Sequence, residues 1–393
     1  MNTGKPLDRM TWLAFLVAGF MLAGCGQEKA PALIKSAKEF IAKKDYSAAS
    51  IQLKSALQQQ DDGEARFLLG SAQFELGELS AAETQLRRAI AGGYTVDAVH
   101  VELAKVMLGL GKLKELLADL EKAKITDPKA KAELGSISGE AHFALGQTEQ
   151  AKQAFAAVLA TNPQDPRARV GEARFMAAGG DIPGAAKQIE QILATAPQQP
   201  QALALQAELL LAQGKPEEAG QVLAALIKVS PFNGSARYAL ITQQLSAKKF
   251  DLAAAGIADM KKAMPRDVRW RYLEAVLAMR KGQPSQARDA VLQVLNVVPD
   301  HGPSLLLAGA AEFELGAYST AETYLKKALA SYPDSLYARN LLVSTYLRKG
   351  QPAKAEETLS YALKKNPIDP TVLRAAGEVR AAGRVEDEER ELR

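Results

Sequence analysis

Apolar residues recur at helical spacing along most of the chain. Phe67, Leu68 and Phe74 mark one short stretch and Leu86, Ala89 and Ile90 the next, with polar and charged residues on the faces between them. Glycine separates the two stretches, and a second breaker usually follows the pair. The pattern therefore predicts pairs of short helices.

The breakers keep a strict period. Prolines stand at 128, 163, 197, 231, 265, 299, 333 and 367, spaced by 35 once and by 34 six times. Seventeen residues before them stand Gly111, Gly146, Gly180, Gly214, Gly282, Gly316 and Gly350, with Lys248 in the remaining unit. Twelve residues before them stand Ala151, Ala185, Ala219, Ala253, Ala287, Ala321 and Ala355, with Leu116 as the exception. The register extends upstream to Gly77 with Ala82, and to Lys44 with Ala49.

Each position has a physical reason. Glycine takes the left-handed conformation that closes the first helix, at no steric cost. Pro216, Pro284 and Pro352 stand where the second helix starts, a place where a missing N–H is harmless. The alanine marks a close helix crossing, and the closing proline is expected to stop the second helix. Each unit is then a helix–turn–helix hairpin whose apolar faces are covered only when a neighbour stacks on it.

This pattern resembles the tetratricopeptide repeat. The resemblance covers residues 30–370 as ten units, with a partial capping repeat at 371–393 that ends in the charged run Glu386–Arg393. It implies an all-α fold, a right-handed superhelix or α-solenoid. The aromatic common early in the first helix is mostly aliphatic here, and units one, two and seven lack one or two signature residues.

Composition agrees. The chain of 393 residues holds 71 alanines but only 23 aromatics, which favours helices over a β-sandwich or barrel. Net charge is +4, with 49 basic residues interspersed among 45 acidic ones, so nothing points to nucleic acid. One cysteine excludes a disulfide framework and any Cys-based zinc or iron–sulfur site.

That cysteine has another use. Lys5 and Arg9, diluted by Asp8, precede an apolar run from Trp12 to Leu22. The run ends in Leu22-Ala23-Gly24-Cys25, which resembles the bacterial lipobox. The resemblance implies that 1–24 are a lipoprotein signal peptide and that Cys25 carries the lipid, leaving 25–393 as the repeat array. Each buried CH₂ of the acyl chains adds about 0.8 kcal/mol to membrane binding. Gly26, rather than Asp, follows the cysteine, which by resemblance to enterobacterial sorting implies the periplasmic face of the outer membrane.

Over residues 22–95 the chain resembles the repeat lipoproteins of PEP-CTERM/exosortase systems. The matching segments are Ser36–Tyr46, Ala49–Leu57, Glu64–Gly70, Leu79–Ala89 and Gly93-Tyr94. The resemblance implies a periplasmic scaffold for protein partners in exopolysaccharide production and surface-protein sorting. The alternatives are polysaccharide binding, a chaperone-like role, or an accessory to outer-membrane assembly.

Catalytic motifs are absent from this reading. His100, His142 and His301 lie far apart with no second ligand at helical spacing, and His142 is expected in a hairpin core. Gly135 and Gly139 have nucleophile-elbow spacing, but Ile137 stands between them, so the segment reads as a helix-packing feature. No enzyme, cofactor or metal is expected.

The expected site is instead a partner-binding groove lined by first helices. One stripe runs through Phe74, Leu108, Phe143, Ala177, Leu211, Leu245, Met279, Phe313 and Leu347. A second holds Ser71, Lys105, Glu140, Arg174 and Glu208, then turns nearly neutral after unit six. A third holds Phe67, Val101, Val170, Tyr238, Tyr272, Leu306 and Asn340. Hairpin packing competes for the first and third. The alternating charge of the second predicts that an extended or helical protein segment lies along units two to six. The aromatics Phe74, Tyr238, Tyr272 and Phe313 read as scattered, which counts against a sugar.

Overall fold

A computed structural model describes residues 29–365 and 368–391, with 382–391 described by backbone alone. Cys25 and the expected leader lie outside the described residues, among which every regular element is a helix. The chain divides into two compact units, 1–188 and 189–393.

The first unit contains α1 (Ala30–Ala42), α2 (Tyr46–Gln59), α3 (Gly63–Glu75), α4 (Leu79–Ala91) and α5 (Asp97–Gly109). It continues with α6 (Leu113–Lys122), α7 (Pro128–Ala144), α8 (Thr148–Thr161), α9 (Pro166–Ala178) and the start of α10 (Ile182–Thr195). The second unit takes up the rest of α10, then α11 (Pro200–Ala212), α12 (Pro216–Val229), α13 (Gly234–Ser246), α14 (Phe250–Ala263) and α15 (Arg269–Arg280). It closes with α16 (Pro284–Leu295), α17 (Gly302–Glu314), α18 (Tyr318–Ser331), α19 (Leu336–Arg348), α20 (Pro352–Lys365) and α21 (Pro370–Glu391). The last helix runs unbroken through Gly383.

The turn glycines take the left-handed conformation, with φ of 73° at Gly77, 70° at Gly111 and 69° at Gly282. Lys44 and Lys248, which replace glycine in two units, are held in the same conformation at φ 59° and 56°. The fold thus imposes the turn even where a side chain opposes it, at about 1 kcal/mol per site.

The recurrent alanines have no exposed surface at Ala49, Ala82, Ala151, Ala185, Ala219, Ala253, Ala287, Ala321 or Ala355. In the unit where leucine takes this place, Leu116 is also buried, and its helix α6 shortens to ten residues. Helices α8, α12, α14 and α18 stop two residues before Pro163, Pro231, Pro265 and Pro333, as expected. Pro128 differs: α6 has already ended at Lys122, and the proline opens α7 at its first position, where its fixed φ suits a helix start. Side chains of Asp62, Asp127, Asp165 and Asn233 cap first helices by accepting a backbone N–H at 2.8–3.0 Å.

The packing role expected of Gly135 and Gly139 is met. A Cβ on Gly139 would lie 2.6 Å from the ring of Phe155, and one on Gly171 would lie 2.5 Å from the same ring. Phe155 is 2% exposed, so α8 inserts one aromatic ring between α7 and α9 at two side-chain-free positions. His142 corrects the core expectation. It is half-buried, and its Nδ1 lies 2.6 Å from Oε1 of Gln147 in the following turn, while the adjacent Ala141 fills the buried place.

Buried carboxylates tie some hairpins to their neighbours. Glu83 on α4 accepts from Lys112 at 2.8 Å and from Arg87 at 3.0 Å, and Arg87 also donates to Asp119 at 2.9 Å. Glu322 on α18 repeats the device with Lys326 and Lys349, whose hydrogen bonds hold its carboxyl at about 2.

Two substitutions test these constraints. Lys248→Gly is expected to stabilise the second unit by about 1 kcal/mol, read as a higher urea midpoint. Gly171→Ala is expected to destabilise the first by roughly 2 kcal/mol, and adding Phe155→Leu should recover part of the loss.

Candidate binding groove

First helices of successive hairpins touch directly in the first unit, α1 on α3, α3 on α5, α5 on α7 and α7 on α9, and in the second from α13 through α21 in the same odd-numbered order. First helices therefore form an inner layer from α1 to α9 in the first unit, and another from α13 to α21 in the second.

In the first unit this surface holds a cavity of about 380 Å³. Phe67, Ser71 and Glu75 project into it from α3 at four-residue spacing, on one helical face. Val101, Glu102 and Lys105 come from α5, Glu133 from α7, and Ile41 and Tyr46 from the first hairpin. The wall is apolar at Ile41, Phe67 and Val101. The rim carries Glu75, Glu102, Asp127 and Glu133 against Lys105 and Lys129, a surplus of two negative charges (four minus two).

Lys105 is already paired, donating to Glu102 at 3.1 Å and lying 2.9 Å from Glu133. Burial penalises its ammonium, but the two carboxylates more than offset that and leave its pKa above the ordinary lysine value. Glu75 has no such partner. Its carboxyl reaches solvent, yet partial desolvation in the groove and the nearby Glu102 push its pKa up, against the pull of Lys105 and Lys44. The Tyr46 phenol is raised too, by burial and by Glu75. The Ser71 hydroxyl oxygen is closed to solvent and has no hydrogen-bond partner.

The cavity brings together four residues of the expected stripes, Phe67, Ser71, Val101 and Lys105. The others lie elsewhere. Phe74 and Leu108 are half-buried against the core of the second and third hairpins. Phe143 meets Phe175 edge-on at 5.2 Å. Glu140 accepts from Arg167 on the next hairpin, and Arg174 is half-buried on α9. Glu208 and Leu211 stand on α11 in the second unit, where Leu211 is 43% exposed. Sequence reasoning missed Glu75, Glu102 and Glu133. Glu75 was within reach, since it lies one turn beyond Ser71 on the same stripe.

The second unit has its own feature. Tyr238 and Tyr272, 34 residues apart in sequence, stack with centroids at 6.5 Å, and His301 meets Tyr272 edge-on at 5.6 Å. These aromatics are adjacent, not scattered, because the repeat places equivalent positions side by side. Burial lowers the His301 pKa, and its Nδ1 lies 2.7 Å from Oγ of Ser304. A cavity of about 520 Å³ opens between Tyr272, Leu306, Tyr332 and Pro333. Among the described residues, no group of three His, Cys, Asp or Glu could hold a metal, and no helix is long and apolar enough to cross a membrane.

A tetratricopeptide repeat profile matches residues 142–209 and 312–378, and a second matches 204–263 and 272–335. A tetratricopeptide repeat-like domain profile matches residues 63–172. The chain belongs to the tetratricopeptide repeat family. Such repeats are generally non-enzymatic scaffolds that bind peptides or protein partners in a groove.

Solved structures also align with this chain. The APC/C hetero-tetramer Cut9–Hcn1 aligns over 94% of this chain and 98% of that one, with 12% identity and a TM-score of 0.51. Yeast Tom70 aligns over 91% and 96%, with 14% identity and a TM-score of 0.40. PilW, a type IV pilus biogenesis factor, aligns over 54% and 98%, with 15% identity and a TM-score of 0.48. No curated protein matches the sequence.

The groove charges make one measurable prediction. Lys105→Met removes a cation that holds Glu75 down, so the Glu75 carboxyl should titrate at still higher pH in a carbon-detected NMR titration; an unmoved midpoint would refute the coupling.

Proposed function

We propose that this chain is a lipid-anchored scaffold of the bacterial envelope, held by Cys25 at the periplasmic face of the outer membrane. Its first-unit groove gathers protein partners of an exopolysaccharide- or exosortase-linked assembly. The observation that carries the scaffold role is the groove: an apolar wall beside an ionised rim, on the inner layer of a repeat array. Such a surface recognises an extended or helical segment by anchors and charge rather than by transforming it. The anchor rests on the lipobox-like Leu22–Cys25 and on Gly26, and the assembly rests on the resemblance over 22–95. Anchoring raises the local concentration of whatever the groove holds, so weak individual contacts suffice.

A second reading, glycan binding, draws on the stacked Tyr238 and Tyr272 beside the cavity at Tyr332 in the second unit. Aromatic faces stack on sugar rings, but Tyr272 already stacks with Tyr238 and meets His301 edge-on. The protein-scaffold reading is therefore preferred.

In cells, palmitate labelling and sedimentation with the membrane fraction should both vanish in Cys25→Ala. A pulldown with the labelled wild-type protein should enrich envelope proteins. Recovery of cytosolic proteins alone would refute the scaffold reading, and recovery of carbohydrate without protein would favour the glycan.

A further inference from the structure

The first-unit groove carries more specific chemistry than a general protein-binding surface. It holds four carboxylates and two ammonium groups, and Lys105 is engaged with Glu102 and Glu133. Glu75 lies on the same rim without an ion pair or hydrogen bond, on the α3 face that also presents Phe67 and Ser71. An ionised group in that position gains from a cation of either origin, and the chain supplies none in contact with it. Ser71, one turn before it, has a hydroxyl oxygen shut from water and unpartnered.

We propose that this groove docks a partner protein through a lysine or arginine that pairs with Glu75, beside an apolar residue packed on Phe67, Val101 and Ile41. The commitment to a cationic partner rests on charge complementarity: the surplus of the lining is negative, and an acidic segment would meet Glu75, Glu102 and Glu133 together. An anionic ligand is excluded for the same reason. The raised Glu75 pKa agrees with a carboxylate lacking enough positive charge around it. This inference deepens the scaffold reading and depends on the groove being its docking surface.

The test uses the full-length protein in detergent and a bead-displayed library of random heptapeptides, acetylated and amidated so that termini add no charge. Bound beads should be enriched in Lys or Arg over Glu at one position by about tenfold, with an aliphatic residue next to it. Glu75→Gln should reduce that preference to near unity while leaving the melting temperature unchanged, since Glu75 holds no internal partner. Enrichment of acidic residues, absence of any cation preference, or an undiminished preference in Glu75→Gln would each overturn the proposal. The envelope pulldown separates the two levels. If it still recovers protein partners while the library shows no cation preference, the cationic anchor fails and the scaffold reading stands.

Discussion

The close crossing inside each hairpin governs the rest of the structure. Two helices can pack through a side chain as small as Ala82 or Ala321 only if their backbones approach closely, and that approach leaves no room for variation in the hairpin angle. The left-handed turn that precedes it delivers the second helix at the required direction, even when Lys44 or Lys248 must adopt it. A near-identical hairpin geometry, repeated along the chain, is what brings first helices of successive units into direct contact. Without it, residues a repeat apart would not meet, and neither the Tyr238–Tyr272 stack nor the paired wall of Phe67 and Val101 would form.

The polar network follows from the same geometry. Glu83 and Glu322 sit just after the crossing alanine, where the second helix faces the turn of the next hairpin. Burying a carboxylate there is unfavourable unless a cation reaches it, and Lys112 or Lys349 does so from the neighbour. The groove reverses the arrangement. Lys105 is claimed by Glu102 and Glu133, which leaves Glu75 on the rim without a cation in contact with it.

Much of the fold was legible because its signals are local. Glycine at the turn, alanine at the crossing and proline at the second-helix start each act within one hairpin, so period and identity together imply the structure. Pro128 misled because a proline can stop one helix or start another, and here the preceding helix has already ended at Lys122, leaving it the second role. His142 misled by one residue on a helix face, enough to exchange a core place for a half-buried one. The groove was only partly legible. Phe67, Ser71, Val101 and Lys105 fell on the expected stripes, but which charges were spent internally depended on Glu102, one turn before Lys105, and on Glu133 from the next first helix. Tyrosines separated by one repeat looked isolated in the sequence, although the stacking of first helices makes them neighbours.

The inner layer of touching first helices also decides how the molecule comes apart. A hairpin inside a unit is supported on two sides, and one at a terminus on a single side, so opening should proceed inward rather than all at once. Amide protons would then exchange with solvent in an order set by distance from the nearest free end. The ring of Phe155, held by glycines on both flanking helices, is the place where that progression should stall. The groove around Glu75 lies near the amino-terminal hairpins, in the part of the first unit that opens early. A partner docked there would act as a terminal cap, converting its binding energy into slower exchange through the hairpins beneath it.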